Sequence, residues 1–70
     1  MLGEAATLED LRAAQRRVAE LEAALERAQA ARDLLLVRVI RERVGVDVGQ
    51  VARAGGVSLR YTRELLRRAA

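Results

Sequence analysis

The chain has no cysteine, histidine, lysine, proline, phenylalanine or tryptophan, and one tyrosine (Tyr61) and one serine (Ser58) among its 70 residues. Each absence removes a class of explanation. Without cysteine there is no disulfide, and without cysteine or histidine there is no ordinary zinc site, so neither staple stabilises a core this small. Without histidine, cysteine or lysine the usual general bases and activated nucleophiles are missing, and no enzyme activity is expected. The scarcity of aromatics argues against a single-stranded nucleic-acid reader, which stacks bases on several rings. The longest apolar run, Leu34-Leu35-Leu36-Val37, is far short of the ~20 residues needed to cross a bilayer. No stretch reads as a signal peptide, so a cytoplasmic location is expected, with no membrane contact. Nothing in the composition calls for a cofactor, a metal or a small-molecule ligand.

What is present is arginine, alanine, leucine and glutamate. All 13 basic residues are arginine, against 10 acidic ones, for a net charge of +3. The charge is unevenly divided. Residues 1–33 hold five arginines and seven acids, a net of −2, whereas residues 34–70 hold eight arginines and three acids, a net of +5. A basic half fused to a mildly acidic half suits a chain that meets a polyanion at one end only. A chain this short makes one small unit whose own core is marginal, and self-association is the remaining common source of stability.

From Ala5 to Val44 there is neither glycine nor proline, and strong helix formers dominate. Thr7 before Leu8-Glu9-Asp10 reads as an N-cap with acids in the first turn, and Gly45 as a stop. The pattern predicts one helix from Leu8 to about Val44, roughly 55 Å long. Such a helix must project, and its apolar stripe must find a partner. Leu11, Ala14, Val18, Leu21, Leu25, Ala28, Arg32, Leu35 and Val39 alternate at spacings of three and four, with a positions at Leu11, Val18, Leu25, Arg32 and Val39. This predicts a two-stranded coiled coil joining two copies of the chain through Leu11, Ala14, Val18, Leu21, Leu25, Ala28, Arg32 and Leu35. A charge at an a position, Arg32, fixes register and strand number at some cost. Parallel and antiparallel pairings are both compatible with the stripe. The division expected is a dimerisation helix over 1–33 and a second unit over 34–70.

In that second unit Asp47-Val48-Gly49-Gln50 has the form of a capping box, which predicts a helix from Val48 to about Ala54. Gly55-Gly56 breaks it, Ser58 caps the next, and a helix from Leu59 to about Arg68 follows. Leu34, Val37, Ile40 and Val44 are expected to cover Val48, Val51, Ala52, Val57, Leu65 and, at the edge, Leu66. The fold class is therefore all-α: a long dimerising helix that runs into a compact three-helix unit.

The string from Val51 to Leu66, VARAGGVSLRYTRELL, resembles the helix-turn-helix of bacterial DNA-binding regulators. Each matched residue has a physical task. Ala52 is small where two helices nearly touch, Gly56 suits a turn at positive φ, Val57 plugs the core, Ser58 caps, and Leu65 anchors. Gly56 to Tyr61, with Arg63 and Leu65-Leu66, is also similar to the turn and recognition helix of AraC-type regulators. Thr62 departs from the commoner branched aliphatic. The arrangement as a whole resembles small actinobacterial proteins that join a coiled coil to a helix-turn-helix, some of them nucleoid-associated.

The resemblance implies a partner, double-stranded DNA, and a helix 59–68 lying in its major groove. The base-contact candidates are then Ser58, Leu59, Arg60, Tyr61, Arg63 and Glu64, with Arg60 and Arg63 placed for guanine. Tyr61 has an alternative place in the core or on a phosphate, and Glu64 one in a pair with Arg60 or Arg67. Arg41, Arg43, Arg53, Thr62 and Arg67 are the phosphate-contact candidates. The function implied is that of a nucleoid-associated protein or a small transcriptional regulator. The competing reading is a coiled-coil adaptor whose second unit docks on protein.

Overall fold

The computed structural model describes residues 5–69. It contains three helices and, among the described residues, no strand: α1 over Leu8–Glu42, α2 over Val48–Ala54 and α3 over Leu59–Ala69. The molecule measures 61 × 21 × 17 Å, with a radius of gyration of 19.1 Å against about 11 Å for a compact chain of this length. The excess comes from α1, which runs past the other two helices.

The ends of the helices follow from local chemistry. The Thr7 hydroxyl accepts from the Asp10 amide at 3.1 Å, and the Thr7 amide donates back to the Asp10 carboxylate at 3.0 Å, a reciprocal capping box. α1 ends at Glu42, two residues before the expected limit, and Gly45 follows at φ +76°. Asp47 caps α2, but its carboxylate accepts from the Gly49 amide at 2.8 Å, a simpler cap than the box expected with Gln50. α2 closes in a Schellman turn. The Gly56 amide donates to the Arg53 carbonyl at 3.1 Å and the Val57 amide to the Ala52 carbonyl at 3.0 Å, with Gly56 at φ +70°. The Ser58 hydroxyl then caps α3 by accepting from the Tyr61 amide at 3.0 Å.

The core is small and sits where all three helices meet. Leu36, Val51 and Ala52 are its buried apolar residues, and Thr62 is buried with them. Val37, Ile40, Val57, Leu65 and Leu66 are half-buried around them. Two residues expected in this core lie outside it: Leu34 is 61% exposed, and Val44 is fully exposed because it lies beyond the end of α1. The covered face of α1 is instead Asp33, Leu36, Val37 and Ile40, an i, i+3, i+4, i+7 set.

Gly55 shows how closely α1 and α2 approach. A Cβ built there would lie 2.7 Å from Cδ2 of Leu36 and 3.4 Å from its Cγ, and Leu36 is itself buried. Gly55→Ala is therefore expected to overpack the core by about 1–3 kcal/mol and to lower the melting temperature by several degrees in a circular dichroism melt. The backbone at Gly55, φ −83° and ψ −4°, would accept alanine, so an unchanged melt would mean that this contact relaxes freely.

Candidate nucleic-acid interface

α3 is sharply two-faced. Thr62 is 1% exposed, Tyr61, Leu65 and Leu66 are half-buried, and Arg60, Arg63 and Arg67 are exposed on the opposite side. The spacing of 60, 63 and 67 against 62, 65 and 66 places the arginines on one face and the apolar residues on the other. Leu59, Arg60, Arg63, Glu64 and Arg67 line one open depression on the outward face, and Ser58 borders a second with Arg60, Tyr61 and Glu64.

The charges on that face are unequally satisfied. Glu64 is engaged by Arg67, through two guanidinium nitrogens, and by Arg68 at 3.9 Å. Arg60 and Arg63 make no ion pair or side-chain hydrogen bond among the described residues. The helix thus spends its acid on its C-terminal arginines and leaves the two N-terminal guanidiniums uncompensated. Exposed pairs of this kind contribute little to stability. Their consequence is the pattern of charge that remains.

Two candidates commit their hydroxyls to partners within the chain. Thr62, expected at a phosphate, is buried, and its hydroxyl donates to the Ser58 carbonyl at 3.0 Å. This is the back-bond available to a threonine inside a helix, and it satisfies a hydroxyl in an aliphatic slot. Tyr61, expected at a base edge, takes its alternative place against the core. Its hydroxyl donates to Oδ2 of Asp33 at 2.6 Å, and its ring lies 5.8 Å from the Arg32 guanidinium carbon. The remaining phosphate candidates divide. Arg53 is exposed in the last turn of α2, and Arg43 is exposed just past α1. Arg41 donates to the Ala69 carbonyl at 2.9 Å, where a cation also meets the negative end of α3. Arg67 is held by Glu64.

The Asp33–Arg32–Tyr61 cluster was not expected from the sequence. The Arg32 guanidinium donates to Oδ1 of Asp33 at 3.1 and 3.2 Å, so Asp33 receives three hydrogen bonds. The Tyr61 hydroxyl, and then Arg32, hold the Asp33 carboxyl below the ordinary carboxylate range, while Asp33 holds the Arg32 proton more firmly. The cluster ties α3 to α1 within the last heptad of the stripe. Because the folded-state pKa of Asp33 is depressed, its contribution is present above the unfolded carboxylate pKa and is lost as pH falls through the folded value. Tyr61→Phe is expected to cost about 1.5–2 kcal/mol, the lower part of the range for a hydrogen bond to a charged group because Asp33 is partly exposed. Denaturation at neutral pH should show this loss, and the gap between variant and parent should narrow as pH falls below 4. A gap that persists unchanged in acid would place the effect elsewhere.

The expected dimerisation residues lie on one open stripe of α1. Leu11 is 66% exposed and Leu25 57%, and Ala14, Val18, Leu21, Ala28 and Leu35 are exposed as well. Arg32, within the last heptad of the stripe, is half-covered by its contacts with Asp33 and Tyr61. Among the described residues no helix is long and apolar enough to cross a membrane, and no cluster of acids could hold a metal ion. No family model, curated protein or solved structure matches the chain.

Proposed function

We propose that the chain is a dimeric double-stranded DNA-binding protein that lays α3 in the major groove. Its role is that of a nucleoid-associated protein or a small transcriptional regulator in the bacterial cytoplasm. The observation that carries this reading is the division of α3: its inner face, Tyr61, Thr62, Leu65 and Leu66, packs towards the core, while Arg60 and Arg63 stand exposed on the other with no ion pair among the described residues. A structural helix gains nothing from two uncompensated cations. A helix held against a duplex gains both phosphate attraction and bidentate contacts to guanine. The Schellman turn and the Ser58 cap set the start of α3, and in a helix-turn-helix it is those first turns that meet base edges. Arg53 and Arg43 then serve as backbone contacts, and Leu59 as the apolar contact for a thymine methyl.

One such unit is small, and its affinity alone is modest. Joining two through the α1 stripe raises the effective concentration of the second at the first site. The action proposed is passive: occupancy of a site, or organisation of the chromosome. Enzyme activity forms no part of this reading, because the chain supplies no histidine, lysine or cysteine.

A mobility-shift titration against genomic duplex fragments at about 50 mM salt tests the proposal. Binding is expected there and should weaken steeply as salt rises, each phosphate contact adding about −0.9 to the logarithmic slope. Absence of any shift would favour the adaptor reading, which the exposed apolar stripe of α1 would then serve.

A further inference from the structure

The stripe of α1 does not end in solvent. At its C-terminal end Leu35 and Val39 continue into a groove between α1 and α2, walled by Leu36, Val46, Val51 and Ala54. At the other end Leu8 and Leu11 are large, apolar and exposed, and Leu8 lies outside the a and d positions. We propose that a second copy of the chain covers the stripe in antiparallel orientation, its Leu8 and Leu11 seated in this groove. The inference rests on the dimer half of the proposed function and adds its direction.

Register and charge select the direction. In an antiparallel pair, a positions face d positions. The alignment that uses the whole stripe sets Leu11 against the partner's Leu35, Ala14 against the partner's Arg32, Val18 against the partner's Ala28, and Leu21 against the partner's Leu25. Small residues then meet large ones. Ala14 leaves room for the arginine, which Asp33 and Tyr61 already hold in place. On the flanks, Asp10 falls opposite the partner's Arg38, and Leu8 falls opposite the partner's Leu36 at the groove. One like-charged pair, Glu22 with its own copy, lies at the exposed centre.

A parallel pair reverses these matches. Arg32 meets Arg32, Arg38 meets Arg43, and Ala14 and Ala28 meet their own copies and leave the seam thin. Only Arg17 with Glu22 gains. The groove would then receive arginine beside Arg43, which borders it. The contrast in charge holds only at the ends of the helices, where residues 8–12, with two acids and one arginine, lie along the partner's 34–38, whose one charge is Arg38, in the antiparallel form. The functional consequence is that the two α3 helices sit at opposite ends of the dimer. The separation along the axis is about 40–50 Å at 1.5 Å per residue, more than one turn of duplex, which suits two duplexes or two spaced sites.

Electron–electron double resonance on single spin labels tests the direction, because the chain has no cysteine to interfere. The label on Glu9→Cys should report an intermolecular distance of about 40–45 Å, since position 9 lies level with the partner's position 37. The label on Ala23→Cys, near the dyad, should report a short distance, about 20–25 Å, in either direction, estimated from the width of a helix pair. A long distance at 9 with a short one at 23 supports the proposal. Short distances at both overturn it and leave the dimer standing. No dipolar signal at either, together with a one-chain mass in sedimentation, overturns the dimer itself.

Discussion

Replacing Arg63 by alanine is expected to reduce affinity for a selected duplex site at least tenfold, about 1.4 kcal/mol, without loss of helix content. The size follows from the contact. A guanidinium donating to both guanine acceptors contributes ~1–3 kcal/mol of discrimination, and among the described residues no acid or hydrogen-bond acceptor competes for Arg63. Helix content should survive because α3 is fixed by Thr62, Leu65 and Leu66 on its other face and capped by Ser58. Arg63→Lys keeps the charge and loses the fork, so it should recover non-specific binding more than discrimination. Should Arg63 touch phosphate only, the alanine variant would weaken all sequences alike and lower the salt slope by about one. Fluorescence anisotropy on matched and mismatched duplexes separates these outcomes, and unchanged affinity would remove Arg63 from the interface.

Leu25→Arg is expected to give a monomer. Leu25 lies at the middle of the stripe, is 57% exposed in the single chain, and faces no other element of its own chain. Two substituted copies would bring a pair of guanidiniums into the apolar centre of the seam in place of two leucines, and the nearest acids, the Glu22 pair, lie at its exposed edge. Loss of the dimer removes the linkage between reading helices, and avidity can be worth 10²–10⁴ in affinity. Sedimentation should therefore report 7.7 kDa, and DNA binding should weaken by at least an order of magnitude at unchanged α3 geometry. A variant that remains dimeric and binds normally would mean that the stripe is not the seam.

Much of this architecture was legible in the sequence because caps and breakers act locally. Thr7, Asp47, Gly56 and Ser58 do what their chemistry predicts within one turn of their own position. The face of α1 that packs against α2 and α3 was harder to read. From Leu34 to Ile40 every residue but Arg38 is apolar, so periodicity alone permits several faces, and it offers Leu34 inward as readily as the buried Leu36. The set 33, 36, 37 and 40 has the right spacing but begins with a charged residue, Asp33. Its partner, the Tyr61 hydroxyl, is 28 residues away in sequence, and no local signal links the two.

The candidate interface was legible in a similar way. Arg60 and Arg63 follow from helical spacing alone. Thr62 had a signal: it occupies a slot where the resemblance expects a branched aliphatic, and such a slot is buried. Gly55 had none, because only the approach of Leu36 distinguishes it from its neighbour at positive φ.

The claim that α3 and its turn meet the duplex is tested most directly by titrating isotopically labelled protein with duplex DNA and following the backbone amides by NMR. The account predicts that the largest shifts fall on Gly56 to Arg63, with smaller ones at Arg53 and Arg43, while Leu11 to Leu25 stay still. Shifts confined to the α1 stripe, or none at saturating duplex in low salt, would contradict it.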